Sequence, residues 1–347
     1  MKKDKAKILS LDNFINFALY DKKKGYYTSK NPFGKSGDFI TAPNISILFS
    51  EMISIWLISF WENLGKPKKI DVIELGAGNG ELMKGIINTI KNFPNMHDCC
   101  NFIIHEKSKK LIDVQKKNIT SKKLSWKNKL IFKNNYPKIF IANEFFDALP
   151  VKHLIKKEKN WYEKFVKLLK NNGEFTLKKI DIKKYKKDLP SQILKNNKFI
   201  EYSPLSLKYL KEISKTIKSN NGGLLLIDYG FSSQGFRDTL QAIEKHKFAN
   251  ILGNIGNRDI TYNLNFNFLK NFISNLKNLK SLCTTQRNFL LKMGIIERAE
   301  IISKNLLFSK KAEIFYRVNR LIDKNKMGEL FKVMFITKNN SSFKLGF

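Results

Sequence analysis

The sequence predicts an α/β fold in which helices cover both faces of a parallel β-sheet. From residue 70 onward, short apolar segments such as IDVIEL (70–75) and NFIIHE (101–106) alternate with helical stretches such as ELMKGIINTIKNF (81–93). Strands that alternate with helices in this way form parallel sheets. The composition agrees, because 42% of the 347 residues are hydrophobic and can form a sizeable core.

The residues before this pattern predict an N-terminal helical region. Residues 8–24 are amphipathic, and GYYTSKNPFGKSGDFITAP (25–43) is rich in Gly, Pro and Ser, which indicates an ordered loop. The segment ISILFSEMISIWLISFW (45–61) is the most apolar in the chain but carries Glu51 and four serines. It is too short and too polar to span a bilayer, so we expect a buried helix and no membrane insertion. We therefore expect residues 1–66 to form one region, a helical layer with a loop that covers the edge of the sheet.

The remaining residues, 67–347, predict the main domain with two insertions. Insertions are expected at about 155–200, with a hairpin turn at Asn171-Asn172-Gly173, and at about 231–276. Four further strands of the main pattern are expected at KIFIANEFF (138–146), GGLLLIDYG (222–230), LKSLCTT (279–285) and FKVMFITK (331–338). Helices are expected at 108–119 and around 205–219.

The charge of the chain is extreme and leaves two interpretations open. The formal net charge is +34, and only six of the 64 basic residues are Arg. Lys is spread along the whole chain, which is typical of solvated side chains wherever the fold tolerates them. A nucleic-acid surface is the alternative, although bidentate recognition favours Arg.

The three cysteines predict a reducing compartment. Cys99 and Cys100 are adjacent and Cys283 stands alone, which suits no disulfide framework. His97 lies close to the cysteine pair, but the spacing matches no zinc pattern, so we expect no metal. The N-terminal residues contain no apolar stretch of signal-peptide length, and we expect a cytoplasmic protein.

The segment ELGAGNGEL (74–82) predicts a ligand-binding turn between a strand and a helix. Gly76, Gly78 and Gly80 let the backbone approach a ligand closely, at the edge where open α/β sheets bind them. A dinucleotide fingerprint needs G-x-G-x-x-G, but the position of its third glycine is occupied here by Glu81. No Walker loop is present, so the sequence does not support ATP hydrolysis.

Two carboxylates favour S-adenosylmethionine (SAM) over a dinucleotide. Glu74 directly precedes the turn, where it would repel a pyrophosphate but attract the sulfonium and amino groups of SAM. Glu106 follows the next strand, where a carboxylate can accept hydrogen bonds from both ribose hydroxyls. The alternative for Glu106 is an exposed residue at a strand end.

The motifs together resemble the MidA-like class I SAM-dependent methyltransferases, a family that includes the mitochondrial complex I assembly factor that methylates an arginine. The resemblance runs from residue 25 to 336 and rests on PFGKSGDFITAP, ELGAGNGELM, NEFFDALPVKHL, LLLIDYG, DTLQAIEKHKF, TQRNFLLKMGI and MGELFKVMFI. It implies a Rossmann-like seven-stranded methyltransferase sheet, an N-terminal helical region and insertions over the active edge. It also implies SAM as cofactor, with Gly76, Gly78 and Glu106 at SAM and with Gly37 and Asp38 in the loop above.

The sequence departs from the family at three positions. Asn44 stands where the family usually has Glu, and Asn263 and Asn265 stand where it tends to have His and Asp. An acid–base role at these positions is therefore in doubt.

The segment NEFFDALP (143–150) follows a predicted strand at the active edge. We assign Asn143 to the cofactor and Glu144 and Asp147 to catalysis, because two carboxylates three residues apart can grip a guanidinium on one side of a helical turn. The alternative is a helix N-terminus in which acidic residues favour the dipole.

Two further segments carry candidate groups. Asp228 and Tyr229 end the strand LLLIDYG, where Asp228 is either a site residue or the first residue of a loop. QAIEKHKF contains Gln241 and His246, and His246 is a candidate for proton removal or an ordinary surface histidine.

The sequence thus predicts a protein arginine methyltransferase acting on a subunit of a respiratory NADH–quinone oxidoreductase, the substrate that the resemblance implies. An RNA methyltransferase and a non-catalytic SAM-binding assembly chaperone are the alternatives. A homodimer contact is a further hypothesis, through an apolar surface of an insertion.

Overall fold

A mixed eight-stranded sheet forms the centre of the computed structural model, which describes residues 7–29, 41–169, 172–244 and 247–347. The strands are β1 (Ile8–Ser10), β2 (Ile70–Leu75), β3 (Cys100–His105), β4 (Leu124–Lys127), β5 (Lys138–Asn143), β6 (Lys152–Lys157), β7 (Asn160–Leu168), β8 (Gly173–Ile180), β9 (Phe199–Tyr202), β10 (Gly222–Phe231), β11 (Gln241–Glu244), β12 (Lys247–Ala249), β13 (Asp259–Thr261), β14 (Leu264–Asn265), β15 (Leu279–Thr285) and β16 (Phe331–Lys338).

Helices connect these strands. They are α1 (Leu11–Tyr20), α2 (Tyr26–Ser29), α3 (Ala42–Ile45), α4 (Ile47–Asn63), α5 (Glu81–Ile90), α6 (Pro94–Cys99), α7 (Lys109–Asn118), α8 (Ser191–Asn196), α9 (Pro204–Asn220), α10 (Phe266–Ser274), α11 (Gln286–Lys292), α12 (Ile295–Ser303), α13 (Phe308–Ile322) and α14 (Met327–Leu330), with a 3₁₀ turn at Ile182–Tyr185.

The central sheet has the strand order β15-β16-β10-β5-β2-β3-β4, and short β14 pairs in parallel with the end of β10. The seven strands of this path and β14 make a mixed sheet of eight strands, whereas the resemblance implies seven. Strands β4, β3, β2, β5 and β10 run parallel to one another. Their carboxyl ends therefore meet at one edge, where α/β sheets bind ligands.

The prediction of a parallel sheet is wrong at the side formed by β16 and β15. Strand β16 runs antiparallel to both β10 and β15. Helix α14 brings the chain to the carboxyl end of β10, where Phe331 lies opposite Tyr229. From that point the chain can only run back along β10, and apolar periodicity carries no information about this direction.

An antiparallel second sheet is built from the first insertion and the N-terminus. Its order is β1-β7-β6-β9, with β8 paired to β7. The predicted hairpin is confirmed, because Leu168 lies opposite Gly173; residues 170 and 171 of its turn lie outside the described residues. The predicted helix at 8–24 begins later than expected, since Ile8–Ser10 pairs with β7 and helix α1 begins at Leu11.

The second insertion contains a small antiparallel sheet in the order β12-β11-β13. Strand β13 is buried along its whole length, and Tyr262 after it donates its backbone N–H to the Asp147 carbonyl, 3.3 Å away. The second insertion therefore contacts the main chain just beyond the carboxyl end of β5.

Two hydrophobic cores lie on opposite faces of the central sheet. One face packs against α4, α5, α12 and α13, where Trp56 and Phe60 contact Phe335 edge to face with ring centroids 5.0 Å apart. The other face packs against α1, α9 and α10 together with the second sheet. Along β5, Phe140 belongs to one core and Ile141 to the other, as the alternation of a strand requires.

Among the described residues, no helix combines the length and the apolar character that crossing a membrane requires.

A buried ion pair closes the edge of the sheet opposite the ligand-binding edge. Lys138 and Asp71 begin adjacent strands, both are almost fully buried, and Lys138 Nζ lies 3.5 Å from Asp71 Oδ2. The ammonium also donates to the Tyr136 carbonyl at 2.8 Å and to Asn134 Oδ1 at 2.7 Å. Each charge is thus compensated, and loss of one partner leaves the other buried without compensation.

We expect Lys138→Met to lower the free energy of unfolding by about 3 kcal/mol, because it leaves the Asp71 carboxylate buried and unpaired. The double variant Asp71→Asn with Lys138→Met should recover part of this loss. Urea denaturation of the wild type, both single variants and the double variant measures the coupling. A Lys138→Met variant within about 0.5 kcal/mol of the wild type would contradict this assignment.

Candidate active site

The glycine-rich turn after β2 adopts a backbone that side chains other than glycine rarely tolerate. Gly76, Gly78 and Gly80 have φ angles of +64°, +53° and +88°. A Cβ atom at Gly76 would lie 2.6 Å from the ring of Phe145. The Gly76 N–H donates to the His105 carbonyl at 3.0 Å, which holds the turn against the end of β3. The turn therefore requires glycine at position 76 for both its φ angle and its space.

Glu74 is a buried carboxylate just before this turn. Its side chain is 3% exposed, and burial raises its pKa to about 8, with the Glu106 carboxylate contributing and the Met83 N–H partly opposing. Its Oε2 atom has no hydrogen-bond partner among the described residues. A cationic ligand would stabilise the ionised form that burial disfavours.

Glu106 lies after β3 and is held in one orientation. Its Oε1 accepts the backbone N–H groups of Lys107 at 2.8 Å and Ser108 at 2.9 Å. Its Oε2 accepts from Gln115 Nε2 at 3.4 Å. Burial nevertheless raises the pKa of Glu106. The carboxylate is thus oriented before any ligand binds, which suits an acceptor for a diol.

Gln115 on α7 links three parts of the site, and the sequence analysis missed it. Its Nε2 donates to the Gly78 carbonyl at 2.9 Å, and its Oε1 accepts from Trp126 Nε1 at 2.9 Å. The residue is fully buried. Its position on an amphipathic helix gave one signal, because a glutamine on the apolar face of α7 needs partners inside the protein.

Asn44, one of the departures from the family, connects α3 to the glycine-rich turn. Its Oδ1 accepts from Asn79 Nδ2 at 3.0 Å, and its Nδ2 donates to Thr41 Oγ1 at 2.8 Å. The carbonyl of Asn79 in turn accepts from Asn118 Nδ2 at 3.0 Å. Asn44 therefore joins the N-terminal region to the site through neutral hydrogen bonds.

The chain turns sharply after β5 at Glu144. Glu144 has a φ angle of +51°, which is uncommon for a residue other than glycine and often marks a functional position. Its N–H donates to the Ile227 carbonyl at 2.9 Å, and its carboxylate accepts the N–H of Ala42 and, at 3.3 Å, Asn143 Nδ2. Burial and the Asp147 carboxylate raise the pKa of Glu144 to about 8.

Asp147 lies one turn further on, and Tyr229 donates its hydroxyl to Asp147 Oδ2. Burial raises the pKa of Asp147 to about 6, and its Oδ1 is buried without a hydrogen-bond partner among the described residues. Glu144 and Asp147 thus interact electrostatically, while Asp147 keeps one oxygen available for a further donor.

Asp228 holds the turn that carries these residues. Its Oδ2 accepts the backbone N–H groups of Phe146 at 3.1 Å and Asp147 at 3.2 Å, and its Oδ1 accepts the N–H of Tyr229 at 3.0 Å. The side chain is fully buried, and burial with the nearby carboxylates Asp147 and Glu144 raises its pKa well above the usual range. Asp228 therefore positions the turn.

A further acid and two tyrosines lie beside this cluster, and they were not predicted from the sequence. Tyr27 donates its hydroxyl to both oxygens of Asp259 at 3.0 Å, and Tyr20 donates to the Ala148 carbonyl at 3.1 Å. Tyr20 and Tyr27 stack with ring centroids 5.6 Å apart. The segments GYYTSK and RDITY are far apart in the chain, so only the fold brings them together.

Three predicted site residues, Gly37, Asp38 and His246, lie outside the described residues. Asn265 accepts the Phe268 N–H at 2.9 Å and caps α10, so it serves the helix. Asn263 donates its N–H to Thr239 Oγ1 at 2.9 Å.

Another group of potential metal ligands, His153, Glu201 and Asp238, lies at the second sheet. There His153 Nε2 and Glu201 Oε2 form a 2.6 Å hydrogen bond, and Thr239 donates to the same carboxylate. The glutamate oxygens are therefore already used by protein donors.

Three buried acceptors at this edge of the sheet would suit a cationic ligand. Glu74 Oε2, Asn143 Oδ1 and Asp147 Oδ1 are buried without hydrogen-bond partners among the described residues, and all three follow or end the adjacent strands β2 and β5. Buried polar atoms normally have hydrogen-bond partners, so donors or cations of a bound molecule would satisfy these acceptors. Two of the three acceptors belong to acidic side chains, which when ionised would repel a pyrophosphate.

Comparison with known proteins agrees with this chemistry. The profile of the Methyltransf_28 family, described as S-adenosyl-L-methionine-dependent methyltransferases, matches residues 52–285. The chain is 27% identical over 361 residues to the protein named "Protein arginine methyltransferase NDUFAF7, mitochondrial" of Xenopus tropicalis, covering 93% of this chain and 81% of that protein. The human protein of the same name is 27% identical, with 93% and 78% covered.

The fold has a solved counterpart. A COG1565 superfamily member from Burkholderia thailandensis, crystallised with S-adenosyl-homocysteine, superposes with a TM-score of 0.79 at 21% identity. The superposition covers 98% of this chain and 90% of that one. This likeness shows that the two chains share an α/β methyltransferase fold.

Replacement of Glu74 separates ligand binding from stability. We expect Glu74→Gln to weaken SAM binding at least tenfold at pH 8, because it removes the charge that faces a cation. The same change should stabilise the free protein at that pH. The raised pKa of Glu74 costs stability as pH rises from about 4.5 to about 8, and a neutral glutamine carries no such cost.

Isothermal titration with SAM and thermal unfolding between pH 5 and pH 8.5 measure both effects. Glu81→Gln, at the partly exposed start of α5, is the matched control and should alter neither. A Glu74→Gln variant that binds SAM as tightly as the wild type would remove Glu74 from the cofactor site.

Proposed function

The chain belongs to the family of S-adenosyl-L-methionine-dependent methyltransferases, and from this premise we propose that it methylates an arginine side chain of a protein. The orphaned acceptors at the carboxyl ends of β2 and β5 carry the proposal. Glu74 would face the positive groups of SAM, while Asp147 Oδ1 would face a second cation. A guanidinium is such a cation, and its planar donors match paired carboxylate oxygens.

The names of the relatives support an arginine substrate. The Xenopus and human proteins are both named protein arginine methyltransferase, and the similarity covers most of each chain. The acidic cluster supports the same class, because the Asp147 and Asp259 carboxylates beside Glu144 would repel the phosphates of an RNA substrate.

We assign the cofactor contacts to the turn and its flanking carboxylates. Gly76 and Gly78 would lie against SAM, with Glu74 near its cationic groups, Glu106 at the ribose and Asn143 as a further acceptor. Gly37 and Asp38 remain proposed members of the loop above. SAM, when bound, supplies a methyl group on a sulfonium; its transfer to nitrogen breaks the carbon–sulfur bond and leaves S-adenosylhomocysteine.

Glu144 and Asp147 would align the guanidinium and take up its proton. Methylation of a guanidinium nitrogen releases one proton, since the product keeps one positive charge. A carboxylate with a pKa near 8 is a suitable acceptor at neutral pH. The Tyr229 hydroxyl holds Asp147, and Asp228 holds the turn, so much of the catalysis would be positioning. His246 stays a prediction as an alternative proton acceptor.

The substrate and setting are proposals of the same kind. The family resemblance supports a subunit of a respiratory NADH–quinone oxidoreductase. Residues 67–347 would form the methyltransferase domain and residues 1–66 would cover the cofactor. The curated relatives are named as mitochondrial, and a cytoplasmic location for this chain stays a prediction, as does a homodimer contact through an insertion.

The proposal is tested with methyl-labelled SAM, the purified protein and a lysate of cells that lack its gene. We expect label in a protein band, released on hydrolysis as methylated arginine. Label in RNA would overturn the proposal. SAM binding without transfer to any fraction would also overturn it and indicate an assembly chaperone.

Replacement of Glu144 tests the carboxylate pair. We expect Glu144→Gln to lower kcat/KM for the arginine substrate at least about a hundredfold while SAM affinity stays within about threefold. In the wild type, Glu144 keeps its proton below about pH 8, so kcat/KM should rise with pH up to that value. The variant should lose this rise.

Glu158 offers a matched control, because it also has a φ angle of +51° but lies exposed in the turn between β6 and β7. Glu158→Gln should keep the wild-type pH profile and rate. Full activity of Glu144→Gln would refute the carboxylate pair without affecting the assignment of SAM.

A further inference from the structure

The connection between α12 and α13 forms an exposed tip with three consecutive apolar residues. Every residue from 304 to 313 is exposed. Leu306, Leu307 and Phe308, which we call the apolar tip, lie at its centre, and Leu307 and Phe308 are 79% and 85% exposed. Large side chains are rarely exposed to this degree in series, and such patches mark interaction sites.

The helices behind the apolar tip are firmly attached to the protein. Arg298 on α12 donates to Glu51 on α4 at 2.7 Å. At the other end of α13, Val318 and Leu321 are buried, and the Leu321 carbonyl accepts from Gln286 Nε2 at 2.9 Å. The apolar tip is therefore a fixed protrusion on two anchored helices.

Stabilisation of helix α13 does not explain why apolar residues occupy the apolar tip. Leu307 occupies the N-cap position of α13 and provides no side-chain hydrogen bond there. Ser, Thr, Asp or Asn at an N-cap would accept a backbone N–H and stabilise the helix. Leucine is therefore an unfavourable N-cap residue here, and its exposed position brings no compensating stabilisation of the fold. Such unfavourable choices are typical of functional positions.

Lysines surround the apolar tip. Lys304, Lys310 and Lys311 are all exposed, and the acid Glu313 is paired with Arg317 at 2.5 Å and, more loosely, with Lys310 at 3.6 Å. With a net charge of +34, a second copy of this chain would meet the tip with like charge. The partner of the apolar tip should therefore carry negative charge at its surface and have an apolar layer beneath that surface.

The choice of lysine and the shape of the tip distinguish a lipid surface from a protein. Protein interfaces are enriched in Arg and depleted in Lys, whereas lysines beside an apolar protrusion suit anionic headgroups above acyl chains. We propose that the apolar tip docks this protein on an anionic lipid bilayer, with Leu306, Leu307 and Phe308 entering the interface and the three lysines contacting headgroups.

The helix that carries the apolar tip is connected to the candidate active site. Arg317 on α13 donates to the Ile45 carbonyl of α3 at 3.4 Å, and α3 supplies the Ala42 N–H that contacts Glu144. The helix that carries the tip thus contacts the same short helix that lines the site. The inference is independent of the methyl acceptor, and its test needs no methyl transfer.

The full chain is sedimented with vesicles of phosphatidylcholine alone and with vesicles in which about one third of the lipid is phosphatidylserine. We expect binding to the anionic vesicles, weakened by salt, and at least about tenfold weaker binding to phosphatidylcholine. Leu307→Ser with Phe308→Ser should lower the affinity for anionic vesicles at least about tenfold. Thermal unfolding should be unchanged or shifted upward, because serine is a better N-cap.

Phe248→Ser is the matched control, since Phe248 is 80% exposed but lies on β12 of the second insertion. It should bind vesicles like the wild type. Equal vesicle binding by the tip variant and the control would overturn the proposal. Absence of vesicle binding, with a wild-type dimer that the tip variant converts to a monomer, would overturn it in favour of a second copy.

Discussion

The carboxylate of Asp228 is the interaction on which the candidate active site depends. It lies at the end of β10 and accepts three backbone N–H groups, two of which belong to Phe146 and Asp147 after the neighbouring strand β5. One buried side chain therefore holds the chain after β5 in the turn that presents Glu144 and Asp147. Without it, these N–H groups would be buried without partners, which costs free energy for each.

The site concentrates carboxyl groups that repel one another. Glu74, Glu144 and Asp147 all have raised pKa values, because burial, and for Glu74 and Glu144 also a neighbouring acid, disfavours the ionised forms. Such an arrangement costs stability in the free protein, and the two hydrophobic cores on either side of the sheet offset it. A cationic cofactor and a cationic substrate would reverse this cost, so the same charges that strain the free protein favour its complexes.

The N-terminal region belongs to the site through specific hydrogen bonds. Asn44 bonds to Asn79 in the glycine-rich turn, the Ala42 N–H reaches Glu144, and Tyr27 bonds to Asp259 from the second insertion. The site is therefore assembled from three parts of the chain around one sheet edge. A helical layer and an insertion contribute polar groups, while the sheet supplies the rigid framework that α/β ligand sites need.

The sequence by itself determined the strands and helices around the cofactor turn and the chemical class of its ligand. Apolar periodicity located β2, β3 and β10 within one residue and β5 within three, and the three glycines with Glu74 indicated a cation, because these signals are local. Two local patterns were misleading, at Ile8–Ser10 and in the direction of β16, since strand pairing depends on distant partners.

Only the tertiary structure decided which groups meet. The contacts of Gln115 with Glu106, of Asp228 with Phe146 and of Tyr27 with Asp259 join residues separated by 9, 82 and 232 positions. The last two pairings follow from strand order and insertion packing, which carry no signature in any short stretch of sequence.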